Sequence, residues 1–395
     1  MRKRLFATQE VGSLQRPYWL QEFGEPLDRM ILDAAVEWGN RLGVDEANEL
    51  ANNSGNGLLQ KSARLVTVAD KERVKEIASI YAIRMQENAG LDRIFNGEQM
   101  RTEMYSFMAN FINGITRAGV LNSFDANYFI KGVINGRIAI LRNGIDFFIK
   151  EFDFTKGHTN REVKTCLTGP YTMVDWSYLE HYTYGYEASN VSRGLAIRKG
   201  REEAVMDFAT EVLNPVVHAL ENSGAKFIQI DEPAAASDEG ESGLFVKALN
   251  ASFKDISKEV MRAVHLCYSD YSKLFPDLAE CKANSYLIEF TNHSSPDKFR
   301  ESDVDQNTFR ALSLFKEYGM KAKIGIGVVD IHSDMLESPE KIRDEIMVAS
   351  KILGDPSLVE VNPDCGLRTR NPEVAYAKLG NMVRGAELAR TEYGE

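Results

Sequence analysis

The sequence predicts an α/β protein built on a closed parallel (β/α)8 barrel of the TIM type, with extra helical and hairpin segments in its first half. Three observations carry this expectation. From residue 164 onward, apolar runs of β type alternate with helical patterns long enough to serve as crossovers. Two earlier runs bring the strands to eight, the number that closes a parallel barrel. No Gly-rich phosphate loop follows the first strand, where an open doubly wound sheet would carry one.

Leu5 to Leu14 reads as the first strand, ending in a polar turn at Gly12. Residues 15–92 read as helices, including Asp28 to Leu42 and Lys71 to Asn88, and Arg93 to Glu98 is a short second strand. Within 99–160, the Phe/Ile-rich part from Phe129 to Phe154 is expected to form a hairpin or a further helical layer. The other strands are Lys164 to Thr168, Lys226 to Asp231, Ala263 to Cys267, Ser285 to Glu289, Ala322 to Val328 and Leu358 to Asn362. Ala204 to Glu221 sets Val205, Phe208, Val212, Val216 and Leu220 near one helical stripe, is interrupted around Pro215, and ends before Gly224. Ser338-Pro339-Glu340 and Asn371-Pro372-Glu373 each combine a cap, a proline at the first helical position and an acid in the first turn, so both are helix starts. With no repeat, low-complexity tract or long linker, residues 1–395 are expected to be one barrel domain carrying insertions near 15–92 and 99–160.

Composition narrows the function. The net charge of −11 leaves no basic excess to neutralise phosphates, which argues against a nucleic-acid partner. No segment has the unbroken apolar length that crosses a bilayer, and the start Met1-Arg2-Lys3-Arg4-Leu5 lacks the apolar run of a signal peptide, so a cytoplasmic location without membrane association is expected. The four cysteines Cys166, Cys267, Cys281 and Cys365 are too few and too scattered for a disulfide framework, leaving metal binding or burial.

The unusual polar residues gather at strand C-terminal ends, the rim on which such barrels build their sites. They are Gly12 and Ser13, Glu98, Asp231, His265 and Cys267, Glu289, Asp330 and His332, and Cys365. Alternation along a strand turns His265 and Cys267 to the same side. Zinc held by His265, Cys267, Glu289 and Cys365 would have one nitrogen, two thiolates and one carboxylate, a set with net charge near −1 that suits activation of a substrate thiol. Asp231 and Glu98 are placed to hold the ammonium of an amino-acid substrate, and Gly12 and Ser13 to donate to its carboxylate. Each residue taken alone also has a bland reading as a cap, loop contact or buried thiol. His158, His181 and His218 read as surface or helix residues, His293 as a loop residue near the site, and Cys166 and Cys281 as structural thiols. The aromatic group Trp176, Tyr178, Tyr182, Tyr184 and Tyr186 reads as a lid, a docking surface or a packed loop.

Val11-Gly12-Ser13, Leu167-Thr168-Gly169-Pro170, Ile228-Gln229-Ile230-Asp231-Glu232-Pro233, His265-Leu266-Cys267-Tyr268, Ile288-Glu289, Asp330-Ile331-His332-Ser333 and Val361-Asn362-Pro363-Asp364-Cys365-Gly366-Leu367 resemble, in order and across the chain, the catalytic domain of cobalamin-independent methionine synthase. The resemblance implies a β/α barrel whose zinc, on His265, Cys267, Glu289 and Cys365, activates homocysteine for methyl transfer. It implies homocysteine contacts at Val11, Gly12, Ser13, Glu98 and Asp231, with His332, beside Asp330, as the proton donor or polar partner near the departing group. The chain departs from the family's long members, having no room for their N-terminal barrel. The folate-contacting acid of the family falls near Ser237, where no carboxylate stands, and 130–160 holds no Arg–Cys folate contact, whereas Trp176 keeps a pterin-stacking position. These departures suggest a short core-type synthase whose methyl donor is a methyl-corrinoid or corrinoid protein instead of methyltetrahydrofolate polyglutamate. Two other readings keep the metal: zinc-dependent alkyl transfer to another thiol such as coenzyme M, and a structural zinc in a binding protein.

Overall fold

The computed structural model describes residues 4–52, 54–123, 126–189, 191–238, 240–267, 270–289 and 307–395. Among them, seven parallel strands form one sheet in the order Arg93–Ile94, Glu162–Thr168, Phe227–Asp231, Met261–Leu266, Ser285–Ile288, Lys323–Gly327, Val359–Asn362. Residues 8–9 close the ring: Thr8 bridges Val361 on one side and Gln9 bridges Arg93 on the other, both parallel. The Gln9 N–H donates to the Val361 carbonyl at 3.0 Å, and the Asp92 and Arg93 N–H groups donate to the Thr8 carbonyl at 3.0 and 3.1 Å. The expected eightfold barrel is therefore present, with its first strand reduced to a two-residue bridge.

The first two strands are shorter than the sequence suggested, for a backbone reason. Gly97 and Glu98 both take left-handed conformations, φ 63° and 58°, which break the pleat that Arg93 to Glu98 was expected to continue. Opposite them the Leu14 N–H turns to the Gly97 carbonyl at 3.2 Å instead of extending a ladder.

Register partners in a parallel sheet share a side. Thr168, Asp231, His265, Leu287, Gly325 and Glu360 thus form one row. This inner side holds only a small apolar cluster of Val11, Phe227, Ala263 and Leu287. The alternate residues, such as Ile228, Ile230, Val264, Ile288, Ile324 and Val361, belong to the large core shared with the surrounding helices. Apolar side chains therefore pack outward under the helices, while the barrel axis is lined by groups that can do chemistry. Arg93 and Glu360 meet there through two hydrogen bonds of 2.8 and 2.9 Å, joined by Gln9 Nε2 to Glu360 at 3.2 Å.

Helix ends follow the sequence closely. Thr67 and Asp70 form a reciprocal capping box at the start of Val68–Ala89, and the Ser338 side chain accepts from the Lys341 N–H at the start of Pro339–Leu353. The long helix expected around Pro215 runs as Arg193–Asp207, a π turn Phe208–Leu213, and Asn214–Asn222. The wider π turn is the local solution to a proline that has no N–H and crowds the carbonyl four residues back. The Phe/Ile-rich part divides between both expected forms: Ile112–Ser123 and Ala126–Ile140 pair as an antiparallel hairpin, and Arg142–Gly157 is a helix. Among the described residues, no helix is long and apolar enough to cross a membrane.

Asn371 caps Pro372–Glu392 by accepting from the Glu373 and Val374 N–H groups at 2.9 and 3.2 Å. Asn371→Ala should lower stability by about 1 kcal/mol, read as a shift in the urea midpoint at unchanged slope.

Candidate active site

His265 lies in the strand Met261–Leu266 and Cys267 follows it directly, so both project inward at the C-terminal mouth. Cys365 arrives from the loop after Val359–Asn362. One ligand atom from each of these three side chains lies within 4.8 Å of the other two. A tetrahedral metal with bonds of about 2.0–2.3 Å needs donor atoms roughly 4 Å apart or closer, so little closure separates this group from a binding geometry.

Burial and hydrogen bonding prepare the donors. His265 Nδ1 lies 3.2 Å from the Leu287 carbonyl, which only accepts, so the proton sits on Nδ1. Nε2 is buried and has no partner in hydrogen-bond geometry; burial pulls the imidazole down, but the neighbouring Cys365 outweighs it and pushes it up, and a metal seated between this nitrogen and the sulfur would replace that contact. A hydrogen bond from the Cys267 thiol holds the Cys365 thiol well below its ordinary value, against burial and with help from the nearby His265. The Cys267 thiol is pushed up by that same bond and by burial. Of the two sulfurs, Cys365 is therefore the one that gives up its proton more readily.

Glu289, expected as the fourth ligand, follows Ser285–Ile288 and is 1% exposed. It does not join the group of three, although its charge acts on both His265 and Cys267. Its N–H donates to the Tyr271 hydroxyl at 2.9 Å, which fixes its backbone at the rim.

Asp231 ends its strand beside the register position of His265. Its Oδ1 accepts from Gln229 Nε2 at 2.6 Å, and its carboxyl is pushed up to about 7, first by burial, with Glu98 adding to the rise. Glu98 is more occupied than the sequence suggested. It pairs with Arg101 at 3.3 Å, and Arg101 in turn binds Glu151. Burial nevertheless pushes its carboxyl up. Gly12 and Ser13 lie against the loop after Cys365: a Cβ on Gly366 would stand 2.7 Å from the Ser13 nitrogen. Only glycine permits that approach, which brings the expected carboxylate-binding groups next to Cys365. Val11 is fully buried, and its carbonyl accepts from Lys164 Nζ at 3.1 Å and Gln229 Nε2 at 2.9 Å.

Asp330 and His332 share one rim loop, where the Asp330 Oδ1 accepts from the His332 N–H at 2.7 Å, with the imidazole exposed. Trp176 ends the short helix Pro170–Asp175 and packs obliquely on Tyr105, centroids 6.5 Å apart. Ser237 is exposed, its hydroxyl 3.4 Å from Asp175. The aromatic group after the third barrel strand is split: Tyr182 is buried and donates to Asp207 at 2.8 Å, while Tyr184 faces solvent. His293 and Tyr268 lie outside the described residues. A 460 Å³ cavity is lined by Leu14, Trp19, Tyr81, Gln99 and Arg370 among others, and by none of the candidate site residues.

Sequence reasoning passed over Lys164 and Gln229, both buried on the inner side. The available signal was parity: each interrupts a β run at positions that share a side with Asp231 or Thr168.

Residues 57–388 match the family model of the cobalamin-independent synthase catalytic domain. The methionine synthase of Thermoplasma volcanium is 35% identical over 389 residues, 95% of either chain. That of Pyrococcus furiosus is 34% identical over 323 residues, 82% of this chain and 84% of the relative. Among solved structures, a B12-independent methionine synthase from Shewanella sp. W3-18-1 in complex with selenomethionine superposes with a TM-score of 0.72 at 22% identity, covering 99% of both chains. A methyltransferase from Methanosarcina mazei gives 0.57 at 14% identity, over 100% of this chain and 96% of that one.

Proposed function

The chain belongs to the cobalamin-independent methionine synthase family, and on that premise we propose that it is a zinc-dependent methyltransferase that converts homocysteine to methionine. The observation that carries the reading is the inward group of His265, Cys267 and Cys365 with a buried, unpartnered Nε2 at its centre. Glu289, buried at the same rim, is the residue to complete the set. Zinc held there supplies deprotonation of a substrate thiol at neutral pH.

The remaining residues bind and orient the amino acid. Asp231 accepts hydrogen bonds from the homocysteine ammonium, with Glu98 contributing its charge from the Arg101 pair. The backbone of Gly12 and the hydroxyl of Ser13 donate to the carboxylate. Held by both groups on its Cα, the amino acid leaves its thiol free to reach the group of His265, Cys267 and Cys365, so approach and orientation are fixed before the methyl group arrives. In the transfer, the sulfur–carbon bond forms as the donor–carbon bond breaks, and that bond's electron pair stays with the donor. Asp330 orders the loop that presents His332 to the departing group.

For the donor, the reading is a methyl-corrinoid, free or on a corrinoid protein, in preference to methyltetrahydrofolate. Ser237 and the absence of an Arg–Cys pair in 130–160 support it. Assays of the zinc-loaded enzyme with homocysteine and either methylcobalamin or methyltetrahydrofolate test it. Methylation of homocysteine from methylcobalamin, at rates at least tenfold above those from the folate, is expected; turnover with the folate alone would exclude the corrinoid reading. Family membership weighs against a structural zinc in a scaffold protein and against a thiol other than homocysteine.

A further inference from the structure

Lys164 is buried inside the barrel, 2% exposed on the strand Glu162–Thr168, where burial pulls its ammonium down while Cys166, Glu10 and Asp231 act to keep it charged. Its Nζ donates to the Glu10 carbonyl at 2.5 Å, the Val11 carbonyl at 3.1 Å and Gln229 Oε1 at 2.7 Å, with Gln9 Oε1 at 3.4 Å. All four acceptors are neutral. Burying an ammonium against neutral oxygens is costly unless those oxygens are well fixed, so the position calls for a reason beyond filling space.

The reason lies in what the acceptors lead to. Glu10 and Val11 run directly into Gly12 and Ser13. Gln229, fully buried, spends its amide oxygen on Lys164, and this orients its amide nitrogen toward Asp231 Oδ1 at 2.6 Å and the Val11 carbonyl at 2.9 Å. The ammonium therefore reaches both halves of the amino-acid clamp, the loop by direct bonds and the carboxylate through one amide. None of these four contacts is to His265, Cys267, Cys365 or Glu289.

We infer that Lys164 is a positioning residue that, through Gln229 and the Glu10–Val11 carbonyls, sets Asp231 and the Gly12–Ser13 loop at the spacing of an α-amino acid. This rests on the homocysteine reading above. Lys164 selects for the amino-acid end of the substrate and leaves the metal alone, whereas a purely structural staple would serve both alike.

The test is calorimetric binding of homocysteine and of 1-propanethiol, a thiol without the amino-acid groups, to zinc-loaded wild type and Lys164→Met, with zinc content measured on each. The expected result is a homocysteine Kd raised at least tenfold, with propanethiol Kd and zinc stoichiometry within twofold of wild type. Unchanged homocysteine affinity, or an equal loss for both thiols, overturns the inference. If Lys164→Met fails to fold, Gln229→Leu is read the same way, since it leaves the ammonium on the Glu10 and Val11 carbonyls while removing the amide that joins it to Asp231, along with that amide's second bond to the Val11 carbonyl. Wild-type protein that binds propanethiol and ignores homocysteine would instead overturn the homocysteine reading itself.

Discussion

His265→Ala is expected to strip the protein of tightly held zinc and to lower homocysteine methylation by roughly a thousandfold, equivalent to about 4 kcal/mol. The expectation follows from the division of labour inside the group. His265 has its Nδ1 proton committed to the Leu287 carbonyl and its Nε2 facing the two sulfurs without a partner. Removing the ring deletes one of three gathered donors and the charge-neutral one among them, leaving two sulfurs that share a hydrogen bond with each other. Glu289→Ala should cost less in metal affinity, because Glu289 stands outside the group of three. Metal analysis of both variants after dialysis against a chelator, beside kcat/KM, separates the cases. A His265→Ala protein that keeps one equivalent of zinc would show that the metal sits elsewhere.

How much of this was legible beforehand depended on which side of a strand a residue faces. Ile228, Ile230, Val264 and Ile288 pack outward under helices, and their apolar runs announced the barrel. Ser338 and Asn371 announced helix starts because capping is a local event within four residues. The inner side was harder. His265 and Cys267 were readable through their alternation, yet Gln229 in Ile-Gln-Ile-Asp has the same parity relation to Asp231 and drew no attention. Its meaning depends on Lys164 and Val11, 65 and 218 residues away. Glu98 was assigned to the substrate without its competitor, since Arg101 is held by Glu151 from a helix 50 residues onward. Strand lengths failed where the backbone turned left-handed at Glu98, a conformation that a non-glycine residue seldom advertises.

Asp231→Asn is the sharpest functional test of the substrate clamp, with an expected loss of about 100- to 1,000-fold in kcat/KM for homocysteine. Truncating one partner of a buried, hydrogen-bonded charge pair typically costs about 2–5 kcal/mol. Asparagine keeps the shape of the side chain and an oxygen to accept from Gln229 Nε2, so the fold and the zinc content should survive. What disappears is the negative charge that the proposed clamp sets against the substrate ammonium. The loss should fall mainly on KM if the ammonium contact is the same in ground and transition states. Glu98→Gln should cost less, because the Glu98 carboxylate is already shared with Arg101 at 3.3 Å and its removal leaves Arg101 still bound to Glu151. Steady-state kinetics on the two variants, each with its zinc content measured, orders the two acids. Should Glu98→Gln prove the more damaging, the ammonium must lie on the Glu98 side of the mouth, and the chain of contacts from Lys164 through Gln229 would then be holding Asp231 for something other than the substrate amine.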